Sequence, residues 1–136
     1  MRYYRRYMYK LPKNCKEVLL IEDNTLTLLV LESEFSKFGL RTDKATDGQS
    51  GWTACQEKQY DLILIDLQLP LINGKELIRK IRNELNETQG VIYAMAAGLS
   101  KAEIAELIHL GYDGYLQKPV TLTPKGDQLI LGASPQ

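Results

Sequence analysis

Asp61-Leu62-Ile63-Leu64-Ile65-Asp66-Leu67-Gln68-Leu69-Pro70 sets four consecutive aliphatic residues between two acids and ends in a proline-bearing loop. An unbroken apolar run this short, bounded by turn signals, fits a strand buried on both faces. Upstream, Val18-Leu19-Leu20-Ile21 has the same character and stops abruptly at Glu22-Asp23-Asn24. Leu28, Leu31, Phe35 and Phe38 then recur at helical spacing, with Asn24 or Thr25 able to cap the start and Gly39 placed to end the helix. A weaker strand follows at 40–45, then an Asp47-Gly48 turn and a helix carrying Trp52 and Cys55 toward the core.

Downstream of the quoted stretch, Asn73-Gly74 opens a helix marked by Leu77, Ile78, Ile81 and Leu85. Residues 91–95 read as a fourth strand, Ile104, Leu107 and Ile108 mark a fourth helix, and Tyr115-Leu116 a fifth strand. Strands alternating with helices predict a doubly wound α/β domain, a parallel sheet covered on both faces by right-handed crossovers. In such sheets ligands bind outside the carboxyl ends of the strands.

The 136 residues suffice for one core, and apolar and charged fractions of 44% and 25% are ordinary for soluble domains. No apolar run is long enough to span a membrane. Cys15 and Cys55 form no paired metal spacing, so reduced thiols and a cytoplasmic setting are expected. The basic start lacks the apolar core of a secretory signal. Six of the 17 basic residues precede Glu17, leaving 11 against 17 acidic ones thereafter. A body with that balance is a poor match for nucleic-acid phosphates. We expect a basic arm or linker over 1–16, a folded domain over 17–120 and an irregular tail over 121–136.

The predicted strand ends bring Glu22, Asp23 and Asp66 together with Lys118 and Ala96 on one sheet edge. Crowded carboxylates repel one another unless a cation intervenes, and Mg²⁺ is the natural choice for hard oxygen ligands. Asp66 is the best nucleophile, since a carboxylate can form an aspartyl-phosphate without a general base. Lys118 would neutralise charge on the transferred group, and the backbone carbonyl of Gln68 would complete the metal shell. The lone His109 is read as a surface residue, so a donor histidine must lie elsewhere. Gly48, Gly74 and Gly114 form no phosphate-cradling loop.

These residues resemble response-regulator receiver domains from Val18 to about Val120. The likeness is carried by Leu20-Ile21-Glu22-Asp23-Asn24, by 61–70 followed by Asn73-Gly74, and by Gly114-Tyr115-Leu116-Gln117-Lys118-Pro119. The wording is most similar to receivers attached to hybrid sensor kinases. The resemblance implies a CheY-like, flavodoxin-like five-stranded sheet of order 2-1-3-4-5. It also implies Asp66 as phosphoacceptor, Glu22 and Asp23 as metal residues, Lys118 on the phosphoryl group and Tyr115 as the switching aromatic. The expected donor is a histidine kinase or a histidine phosphotransfer protein. The domain would catalyse its own phosphorylation and slow hydrolysis without being a turnover enzyme. A homodimer stays open.

Two features depart from the family. Its usual Ser or Thr at the fourth strand end is Ala96, which predicts phosphorylation with weakened or rerouted switching. The usual fifth helix is short or missing, because Pro124, Gly126, Gly132 and Pro135 interrupt its place. There, 129–131 either fold back over the sheet or await a partner. With no DNA-binding segment after Val120, output is expected through protein contacts or through domains absent from this chain. Two competitors remain: a phosphorylation-independent docking module, and an aspartyl phosphatase, disfavoured because Gln68 occupies the place of a second acid.

Overall fold

A computed structural model describes residues 7–85 and 89–133. Its main sheet is built from β2 (Glu17–Ile21), β3 (Arg41–Ala45), β4 (Leu62–Asp66), β5 (Val91–Ala96) and β6 (Gly114–Gln117). The strands are parallel in the order β3-β2-β4-β5-β6. Counted from β2, this is the expected 2-1-3-4-5 arrangement. The four crossovers carry α1 (Thr25–Lys37), α2 (Gly48–Glu57), α3 (Gly74–Glu84) and α4 (Lys101–Leu110).

The aliphatic runs behave as a doubly covered sheet requires. All five residues of β4 are buried, and alternate side chains enter opposite layers. Leu19, Ile21, Ile63 and Ile65 meet Trp52, Leu77, Ile78 and Ile81, while Val18, Leu20, Leu62 and Leu64 meet Leu28, Leu31 and Phe35. In α4 only Leu107 is buried, and Ile108 points largely to solvent.

Caps place each helix start at the carboxyl edge of the sheet. Asn24 accepts from Thr27 N–H, Asp47 from Ser50 N–H, and Asn73 from both Lys75 and Glu76 N–H. Ser100 and Glu103 close a reciprocal capping box on α4. Gly39, at φ 78°, lets the chain leave α1 through the left-handed region.

The expectation of an irregular tail is corrected. β7 (Val120–Lys125) and β8 (Gln128–Ala133) form an antiparallel hairpin, and β1 (Tyr9–Lys10) pairs with β8, giving a second sheet of order β1-β8-β7. The helix-breaking residues have other uses here. Gly126, at φ 66°, makes the turn, and Pro124 sits in the outer strand β7, where a missing N–H is tolerated. Leu122 and Leu131 face each other across the hairpin and are buried against the α1 side of the main sheet. Among the described residues no helix follows β6, and the hairpin covers the layer that a fifth helix would take. Of the basic arm, Arg2, Arg5 and Arg6 lie outside the described residues, as does Pro135. Among the described residues no helix is long and apolar enough to cross a membrane.

Candidate functional site

Topology brings the sequence-predicted residues together. Glu22 and Asp23 follow β2, Asp66 ends β4, Ala96 ends β5 and Lys118 follows β6, across a cis Lys118–Pro119 bond. Carboxylate oxygens of Glu22, Asp23 and Asp66 all lie within 4.8 Å of one another. Glu22 and Asp66 are buried, at 1% and 4% exposure, whereas Asp23 reaches solvent. Lys118 Nζ lies 2.8 Å from Glu22 Oε1 and 3.2 Å from Asp66 Oδ2. Gln68 donates its backbone N–H to Asp66 Oδ1 at 3.0 Å, which fixes one carboxylate oxygen and orients the loop after β4.

Three acids and one ammonium leave an excess of negative charge in a poorly solvated cleft. Burial raises the pKa of Glu22 to about 7, and the neighbouring Asp66 carboxylate adds to the rise, while contact with Lys118 opposes it. The two tendencies conflict, because the short Lys118 contact favours ionised Glu22. The upward direction stands, since burial and a like charge act together. Burial alone would lower Lys118, but Glu22 and Asp66 hold it above its usual value. A hard divalent cation with oxygen ligands fits this donor set, because it would allow all three acids to ionise.

A pH dependence follows. Glu22 keeps its proton longer in the folded chain than in the unfolded one. Its contribution to stability is therefore fully present below pH 4.5 and is lost as pH rises toward about 7. Relative to Glu22→Gln, the metal-free protein should lose on the order of 3 kcal/mol across that window. Denaturant titrations of both proteins at its two ends would show this, and parallel stability curves would refute it. Excess Mg²⁺ should flatten the slope by binding the ionised form.

A family model described as the response regulator receiver domain matches residues 18–124. The chain belongs to the response-regulator receiver family. This receiver is 30% identical over 114 residues to hybrid signal transduction histidine kinase F of Dictyostelium discoideum, covering 81% of this chain and 10% of that protein. The chain thus spans only a small part of that relative. It is 30% identical to the receiver domain of a Pseudomonas aeruginosa sensor histidine kinase, solved with magnesium coordinated in its active-site cleft. That match has a TM-score of 0.69 and covers 77% of this chain and 86% of that one. It is 29% identical to the receiver domain of the Saccharomyces cerevisiae response regulator Ssk1, solved with the histidine phosphotransfer protein Ypd1. Here the TM-score is 0.70, with 77% and 79% covered.

Around the receiver site, Tyr115 is 1% exposed and its hydroxyl donates to the Ala96 carbonyl at 3.3 Å. The same carbonyl accepts the Lys118 N–H at 2.8 Å. Sequence reasoning paired Ala96 with Tyr115 only through the family pattern and missed the second neighbour of the tyrosine, Tyr7. The two rings meet edge to face at 5.2 Å. No local signal links residues so far apart in the chain.

Proposed function

We propose that Asp66 accepts a phosphoryl group from a phosphohistidine, in a receiver that works within two-component signalling in the cytoplasm. The observation that carries this is Lys118 Nζ held 3.2 Å from Asp66 within a cluster of two further carboxylates. In the transfer, an Asp66 carboxylate oxygen forms a P–O bond as the P–N bond breaks. The electron pair leaves with the imidazole, which takes a proton from solvent. Lys118 turns from Glu22 toward the phosphoryl oxygens and neutralises part of their charge. Glu22, Asp23 and Asp66, with the Gln68 carbonyl, would hold Mg²⁺, which supplies charge neutralisation and orientation.

The donor is a histidine kinase or a phosphotransfer protein. Leu26, Leu29 and Val30 on α1 are 70%, 57% and 55% exposed, an apolar stripe that starts beside the acidic pair and suits a docking helix. The yeast receiver solved with its phosphotransfer protein supports a partner of that kind. Ala96 favours weaker or rerouted switching, since its methyl can make no hydrogen bond to a phosphoryl oxygen. A docking module that no longer takes phosphate is the second reading, motivated by the same residue.

Intact-mass analysis after incubation with a small phosphodonor and Mg²⁺ tests the proposal. One phosphoryl group should appear on the natural chain and be absent from Asp66→Asn. Folded, Mg²⁺-bound protein that stays unmodified would instead support the docking reading.

A further inference from the structure

The N-terminal strand lies across the edge of the main sheet. Tyr9 stacks on Tyr93 with ring centroids 4.4 Å apart, and its hydroxyl accepts the Tyr115 N–H at 3.1 Å. Two glycines clear its path. A Cβ on Gly114 would come within 2.6 Å of the Tyr9 ring, and one on Gly132 within 2.8 Å of Met8 Cγ. These glycines sit on β6 and β8, in different sheets, so both sheets are shaped to admit the same segment.

On its other side the Tyr115 hydroxyl meets the end of β5. Its hydroxyl shares the Ala96 carbonyl with the Lys118 N–H, and Lys118 Nζ is paired with Asp66. A continuous chain of contacts therefore runs from Asp66 through Lys118, the Ala96 carbonyl and Tyr115 to Tyr7 and Tyr9. Its outer end is weakly held. β1 has two residues, paired Tyr9↔Leu131 and Lys10↔Ile130, with a further bond from Leu11 N–H to the Leu129 carbonyl at 3.2 Å. So short a strand belongs to the least stable part of a fold.

We propose that the segment from Tyr7 to Leu11 is a strap whose seating is coupled, through Tyr115, to occupancy of the Asp66 site. The proposal rests on Asp66 being the phosphoacceptor. A phosphoryl group on Asp66 holds Lys118, and with it the Ala96 carbonyl that the Tyr115 hydroxyl uses. The inward tyrosine and the seated strap are favoured together. The route uses a main-chain carbonyl, which alanine supplies as well as any residue. By linkage, unseating the strap weakens binding at Asp66 by the same factor.

The test uses the full chain with Mg²⁺ alone and with Mg²⁺ plus beryllofluoride, a phosphoryl analogue. Amide exchange at Leu11 and Tyr115, two of the N–H groups that the strap protects, should slow at least about fivefold on loading. The Lys58 amide, bonded to the Ala54 carbonyl at the end of α2, should not change with them. Tyr7→Ala should weaken beryllofluoride binding by the same factor, and Gly114→Ala, which sets a methyl against Tyr9, should act likewise. Normal beryllofluoride binding with unaltered Leu11 and Tyr115 exchange, or undiminished affinity in both variants, overturns the strap while leaving Asp66 as acceptor. Failure of the natural chain to bind beryllofluoride overturns both.

Discussion

Lys118→Met is expected to slow phosphoryl-adduct formation on Asp66 by about a hundred- to a thousandfold, the loss typical when one preorganised charge-stabilising donor is removed. Methionine keeps much of the length of the side chain without its charge. The ammonium is 3.2 Å from Asp66 Oδ2 before any phosphoryl group arrives, so it has only to release Glu22 to meet the developing charge. A second consequence separates this effect from misfolding. Lys118 opposes the upward shift of Glu22, so its loss should move Mg²⁺ binding to higher pH while the fold, followed by circular dichroism, persists. Quenched intact-mass time courses at saturating Mg²⁺ give the rate. A rate within a factor of about three of the natural protein would mean that charge neutralisation comes from elsewhere.

Leu131→Ala is expected to destabilise the protein by about 3 kcal/mol, within the range for truncating a buried leucine. Leu131 is fully buried opposite Leu122 and belongs to the layer that holds Val18, Leu20, Leu62, Leu64 and Met95. The hairpin contributes to the core that a fifth helix would otherwise complete. The exposed Thr123→Ala on the same hairpin should change stability by less than about 0.5 kcal/mol, which makes it the control in denaturant titrations. If Leu131→Ala also fell in that range, the hairpin would be a surface appendage, and cover for the α1 side of the sheet would have to come from a partner.

The two stabilities should also differ in their coupling. Leu122 and Leu131 are cross-strand partners in one buried cluster, so the double alanine variant should cost less than the separate losses together, because each single variant already removes their mutual contact.

The main sheet and much of its site could be read from residue order alone, because the signals are local. The runs at 18–21 and 62–65 can satisfy their apolar side chains only between two layers, while Asn24, Asp47 and Asn73 mark helix starts through side-chain oxygens and Gly39 marks an end through its positive φ. Parallel topology then carries the residue after each strand to one edge, which assembles Glu22, Asp23, Asp66 and Lys118 although up to 96 positions separate them. The second sheet was not legible in this way. Pro124, Gly126 and Gly132 argued correctly against a helix, but β1 is too short to show a period, and its pairing with β8 joins opposite ends of the chain. Likewise Tyr9 meets Tyr115 across 106 positions. Such contacts are chosen by which surface remains uncovered once the local elements have packed, and that surface exists only in three dimensions.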